Sequence, residues 1–226
     1  LARVGNPWSG TRVLQFDAAT FKLLRTSDVL PEPGADRGIL SPDGAKLYTC
    51  NAQVGQNARL VILDAETLAL RKAIDIPSDF SQGGATNFAS WDFDLNNRLL
   101  YMAGFNSVYV MHLDRDVILQ QLNVLDALKA AGKPQGNGGT AISGVYLSPA
   151  KDLLMVVSSD FSTMYVYDLR RAQWQPRLVD LRGYLPRHTC RSEDGRLVYA
   201  ACEMSDSISQ VDATSGTLLK VVPVTA

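Results

Sequence analysis

Histidine and cysteine are scarce in this chain. It has two histidines, His112 and His188, and three cysteines, Cys50, Cys190 and Cys202. The histidines lie far apart and the cysteines lack metal-ligand spacing, so no protein-only zinc site is expected. No Cys-x-x-Cys-His occurs, which excludes covalent c-type haem attachment in these residues. No resident metal or cofactor is expected. No run approaches ~18 uninterrupted apolar residues, so no membrane span is expected. Charge of one sign is also missing. Lysine and arginine total 22 against 23 acids, with no basic stripe, which argues against nucleic acid as a partner. There is no low-complexity linker and no shift of composition, so residues 1–226 read as one domain. The first residue is Leu1, and no signal-peptide pattern follows it.

The cysteines are odd in number. Counting around the Asp194-Gly195 turn sets Cys190 opposite Tyr199, with Cys202 three residues further on. That offset places Cys190 and Cys202 on opposite faces of a sheet, where a bridge would be strained. Three buried free thiols are the expectation.

What the chain does have is a repeat. Hydrophobic runs end in an aspartate at Asp17, Asp64, Asp114, Asp168 and Asp212, at gaps of 47, 50, 54 and 44 residues. That period marks an array of one small unit. A second marker keeps step with it: Ser41-Pro42-Asp43-Gly44, Asp94-Leu95-Asn96-Asn97, Ser148-Pro149-Ala150-Lys151 and Ser192-Glu193-Asp194-Gly195. These suit hairpin turns, because Asp-Gly and Asn-Asn tolerate positive φ. Short runs rich in Val, Leu, Ile and Tyr flank them, as strands prefer. Each unit thus reads as four strands, here called A to D. The A-to-B turn carries the second marker, and the aspartate opens the C-to-D turn.

The expected fold is all-β: a β-propeller of four-stranded antiparallel blades. The blades fall at about 34–76, 85–124, 140–181 and 186–226, after a partial N-terminal blade at about 1–30. The strand C runs Leu60–Leu63 and Val108–Leu113 are almost wholly apolar, as a sheet covered on both faces requires. The partial first blade leaves two readings, a small five-bladed ring short of one strand or part of a larger, seven-bladed ring. The second is favoured.

The block Asp194–Cys202 followed by Ser207–Gly216 resembles the YVTN-type propeller repeat, and so does Ser41–Thr67 with Leu47-Tyr48-Thr49-Cys50-Asn51 in the signature position. The family includes surface-layer propellers, lactonase-like propellers and quinoprotein amine dehydrogenase propellers. The resemblance implies the fold and leaves the activity open. The Trp-Asp dipeptide of another propeller class is absent at the strand C ends; Trp91-Asp92 falls in strand A.

Strand A is innermost in a propeller, and its start should ring the mouth of the central channel. Four residues before each turn marker stand Arg37, Ser90, Gly144 and His188; Arg187 precedes the last. Arg37 and Arg187 could clamp a carboxylate or phosphate, and His188 could move a proton or act as a ligand. The alternative is that they bond only to neighbouring carbonyls and water. His112, within strand C, reads as packing between blades. The recurring aspartates read as turn formers, because chemistry needs a singular constellation and architecture a repeated one. The long D-to-A connections 30–36, 77–85 and 125–140 share one face, the usual place for binding. The last opens with a short helix, Leu125–Ala131, stopped by Gly132, before a Gly-rich loop that fits no nucleotide fingerprint.

The leading expectation is a non-catalytic binding or docking subunit of a larger extracytoplasmic assembly, periplasmic or secreted. It would have a protein partner, with a small anionic ligand as a further option, and no catalytic residues of its own. The alternative, from the resemblance, is the propeller part of a quinone- or haem-linked dehydrogenase, or a lactonase-like hydrolase with its site at the channel mouth. A sugar- or peptide-binding propeller is a third.

Overall fold

The computed structural model describes residues 2–4, 11–30, 35–51, 58–76, 90–132, 141–171 and 175–224. They form two compact units, Leu1–Phe88 and Ala89–Ala226. The first unit holds the three-stranded sheet β1 (Ala2–Val4), β2 (Arg12–Phe16) and β3 (Leu23–Thr26). After it comes the four-stranded sheet β4 (Ala35–Leu40), β5 (Lys46–Asn51), β6 (Ala58–Asp64) and β7 (Leu70–Ile76). In the second unit the third blade is β8 (Ser90–Asp94), β9 (Leu99–Ala103), β10 (Ser107–His112) and β11 (Val117–Asn123), followed by α1 (Val124–Ala130). The fourth is β12 (Ile142–Leu147), β13 (Leu153–Ser158), β14 (Thr163–Asp168) and β15 (Arg177–Asp180). The fifth is β16 (Pro186–Arg191), β17 (Leu197–Cys202), β18 (Ser207–Asp212) and β19 (Thr217–Pro223). Every sheet is an antiparallel meander, so these are propeller blades. Much of the D-to-A connections, at 31–34, 77–89 and 133–140 with its Gly-rich loop, lies outside the described residues.

The middle strands carry the core. Leu60–Leu63, Ser107–Met111 and Thr163–Tyr167 are buried without a break, as sheets packed on both faces demand. Tyr101, Val108 and Val110 of the third blade pack with Val145, Leu154, Val156 and Tyr165 of the fourth. Met155, Val157, Met164 and Val166 of the fourth pack with Val198, Ala200 and Val211 of the fifth. In β17 and β18 buried residues alternate with half-buried ones. Asn123 caps α1 by accepting the Leu125 N–H at 2.9 Å, and Gly132 follows at φ +65°, which favours glycine.

At the A-to-B turns one serine does the same work in three blades. Ser41, Ser148 and Ser192 accept through Oγ the N–H of Lys46, Leu153 and Leu197 at 2.9, 3.0 and 3.0 Å. At the C-to-D turns Asp17, Asp64 and Asp212 accept backbone N–H groups two or three residues on, at 2.7–3.1 Å, and the hydroxyls of Thr20, Thr67 and Thr214. Asp168 accepts the N–H and guanidinium of Arg170. The third blade departs from the repeat. Its slot, opposite Leu99 and four residues before the left-handed Asp116, is filled by His112, and Asp114 stands two residues later. The half-buried His112 accepts the Asp114 N–H through Nδ1 at 3.2 Å, while Asp114 takes a two-pronged ion pair from Arg98. His112 is thus a turn residue rather than interblade packing, because the side chain sits at the strand end.

Bonds that favour the carboxylate lower these acids, Asp212 by the Thr214 hydroxyl and Asp168 by Arg170, the latter to about 2. A depressed folded-state pKa gives stability that is complete above the unfolded value and lost as pH falls through the folded one. Asp212→Ala should therefore lower stability at pH 7 by about 1 kcal/mol, the scale of a lost cap. Its deficit should shrink between pH 4 and pH 2. Denaturant midpoints at pH 7 and pH 3 test this; an equal deficit at both values would remove the carboxylate from the explanation.

The cysteines are free, and Cys190 pairs with Tyr199 as counted. Cys50 and Cys202 are buried, but Cys190 is exposed, against expectation. The reason is its strand: in β16 only Pro186 is buried, and among the described residues of this unit none covers that innermost strand fully.

Candidate functional site

The inner strands β8, β12 and β16 lie side by side. β12 and β16 begin with the same irregularity, a register shift between Ile142 and Gly144 and between Pro186 and His188; in the first unit β4 shifts likewise between Ala35 and Arg37. The extra residues are Ser143, Arg187 and Asp36. Such bulges re-aim a side chain at the end of a strand. In β16 the result is two adjacent polar side chains in solvent.

Arg187 is 63% exposed and His188 76% exposed, and both face Glu203, on the turn after β17. Arg187 Nη1 donates to Glu203 Oε2 at 3.2 Å, and His188 Nε2 lies 3.8 Å from Oε1. Asp160 approaches from the fourth blade's B-to-C loop. Partial burial raises its carboxyl above the ordinary range, and the Arg187 guanidinium pulls it partway back. The cluster can exchange a carboxylate for another anion at Arg187 and can pass a proton at His188.

The other expected site residues sit elsewhere. Ser90 is half-buried in β8, and its Oγ donates to Val145 O at 3.3 Å. Arg37 belongs to the other unit, in β4 opposite Cys50; its side chain lies outside the described residues. The structure therefore brings Arg187 and His188 together, sets Ser90 two inner strands away, and leaves Arg37 to the first unit.

A second polar network was not singled out by the sequence. Asp92, 7% exposed in the middle of β8, accepts the buried Leu147 N–H of β12 at 2.8 Å and Arg191 Nη1 of β16 at 2.7 Å. One carboxylate thus joins three blades. Next to it Tyr146 OH donates to Thr189 Oγ1 at 2.8 Å, which donates to Ser143 O at 3.1 Å. Burial raises the Tyr146 hydroxyl, keeping it a neutral donor. The available signal was an aspartate between Trp91 and Phe93 in an inner strand, a position where a lone charge needs a partner. Among the described residues, no group of three or more His, Cys, Asp or Glu is arranged to hold a metal ion. No helix among them is long and apolar enough to cross a membrane.

Comparison with known proteins gives the fold its family. Similar solved structures include a hydrazine synthase of Kuenenia stuttgartiensis, with TM-score 0.62 and 20% identity, covering 92% of this chain and 52% of that one. A functionally unknown protein from Desulfotomaculum acetoxidans DSM 771 gives 0.65 and 15%, covering 95% and 63%. Dihydro-heme d1 dehydrogenase NirN, in complex with DHE, gives 0.62 and 15%, covering 95% and 42%. The chain thus spans about half the length of these solved chains, and at such identities the likeness carries the fold alone. No curated protein matches by sequence. The family model described as Lactonase, 7-bladed beta-propeller matches residues 9–226, nearly the whole chain, and this protein belongs to that family.

Proposed function

We propose that this propeller is a non-catalytic docking part of a larger, extracytoplasmic assembly, and that its partner binds where the inner strands of the second unit begin. The observation that carries the reading is the Arg187–His188 pair, presented by a bulge, largely exposed and held by Glu203. An exposed ion pair is worth little, so a partner's carboxylate can replace Glu203 at small cost. What the neighbours lend to this reading is only that the fold also occurs as part of longer chains: the match covers 52% of the hydrazine synthase chain and 42% of the NirN chain.

The second reading, a hydrolase, is favoured by the family description. One pair of experiments separates the two. Cross-linking of the native assembly, read by mass spectrometry, should place a partner chain on residues 182–206, and Arg187→Glu should remove those links. In parallel, the purified protein is assayed against γ- and δ-lactones by proton release. Hydrolysis that disappears in His188→Ala would establish the enzyme and end the docking reading.

A further inference from the structure

Two loops beside Arg187 are tied into one. The loop from β15 to β16, residues 181–185, meets the 3-10 turn Glu203–Ser205. Met204 N–H donates to Tyr184 O at 3.3 Å, Glu203 N–H to Leu185 O at 3.2 Å, and Tyr184 N–H to Ser205 Oγ at 3.0 Å. Beneath them Leu181 is fully buried, and Gly183 sits so close to β17 that a Cβ would lie 2.5 Å from Cys202 Sγ. Arg182, Leu185 and Asp206 hold φ of 57°, 57° and 43°. A left-handed backbone is unfavourable for a leucine, and such strain persists only where surrounding structure enforces it.

What this braced pair presents is apolar. Tyr184 is 71% exposed and Met204 76% exposed, on residues joined by a backbone hydrogen bond. Large apolar side chains held in water contribute little to folding. Tyrosine, methionine and arginine are the residues enriched where proteins meet, and a preformed anchor saves ordering cost on binding. Charge sets the partner's chemistry. The run Leu181–His188 carries Arg182, Arg187 and His188; the acids bordering it are Glu203, which Arg187 already engages, and the exposed Asp180 and Asp206, so the cation left for a partner is Arg182. Arg182 is exposed, its N–H bonds Asp180 Oδ1, and its guanidinium has no ion pair among the described residues.

We infer that Tyr184 and Met204 are the anchor of the docking face and take a protein segment that carries an apolar side chain beside a carboxylate. This rests on the docking reading above and adds to it where the partner is held and by what. The carboxylate pairs with Arg182 at the rim, and the apolar side chain covers Tyr184 and Met204.

A phage-displayed dodecapeptide library panned on the whole chain tests it. Selected peptides should pair a bulky apolar residue with Asp or Glu. They should lose at least about tenfold in affinity against Tyr184→Ser/Met204→Ser, the scale of a truncated interface anchor. Hydrogen exchange should slow at 181–188 and 203–206 when they bind. Peptides that bind this variant like the parent, or that are basic, overturn the inference, as does a library that yields no binder. An Arg187→Ala/His188→Ala variant separates the two proposals. If it alone loses the peptides, the docking face stands and the Tyr184–Met204 anchor fails. If neither variant matters, both fail.

Discussion

Asp92→Ala should lower the stability of the second unit by about 3 kcal/mol, more than removal of any of the carboxylates at the C-to-D turns. The loss has two parts. Leu147 N–H is buried and accepted by Asp92 Oδ2, so alanine leaves a buried donor unsatisfied. Arg191 Nη1 loses its 2.7 Å partner as well. Arg191 is 35% exposed, so water softens that second part and keeps the total toward the lower end for a broken buried pair. Lys151 Nζ, 4.0 Å from Oδ1, adds little. Thermal unfolding should show a fall of roughly 6–12 °C for the measured transition, given about 2–4 °C per kcal/mol at this size. Asp92→Asn keeps an acceptor for Leu147 N–H and should lose less. Arg191→Ala should also lose less, because it leaves the Leu147 bond in place. If Asp92→Ala unfolds within a degree of the parent, the three-blade clamp is not a stabilising feature.

That clamp marks the limit of what the sequence discloses. The blades were legible because each is local: a turn signal, a run of β-formers and an aspartate recur within about fifty residues. Even the edges agree, with β1 to β3 falling where a partial first blade was expected. Contacts between blades have no such period. Asp92 and Arg191 are ninety-nine residues apart, and nothing local ties one to the other. Matching by residue type also misleads where a turn drifts. Asp114 looked like the third copy of the recurring aspartate, but backbone pairing gives that slot to His112. The site was half legible. Counting back from the turn markers gives equivalent places in the inner strands, since the spacing from marker to position is constant, and in β16 that place holds the exposed Arg187–His188 pair. It could not find Glu203, which reaches them from the turn after another strand, nor the exposed Tyr184 and Met204, whose display depends on three left-handed residues in two separate loops.

Gly144→Ala is the second large loss expected, and it connects the fold to the docking face. Gly144 is the third residue of β12, just past the bulge and opposite Val157, at the place that Ser90 takes in β8 and His188 in β16. Its φ is not in the left-handed region, so space decides the matter. A Cβ would fall inside contact distance of Thr189 Oγ1, 2.8 Å from Tyr146 Cε2 and 3.1 Å from Thr189 Cβ. None of these can swing away freely: Thr189 is bonded to Tyr146 OH and Ser143 O, and Tyr146 is buried. The backbones of β12 and β16 must part instead. Such overpacking costs about 1–3 kcal/mol, here toward the upper end at about 2–3 kcal/mol, or roughly 4–12 °C in the midpoint. Thr189→Ala in the same chain removes the nearest atom, Oγ1, while leaving Cβ and Tyr146 Cε2 in place, and should return part of the loss, so the two substitutions should be non-additive by more than about 0.5 kcal/mol. Strict additivity would show that the strands accommodate the methyl in some other way. Parting β12 from β16 also moves Arg187 and His188 without touching them. The Gly144→Ala protein should therefore bind the selected peptides more weakly even at temperatures where it is fully folded, and peptide affinity unchanged under those conditions would disconnect the strand junction from the docking face.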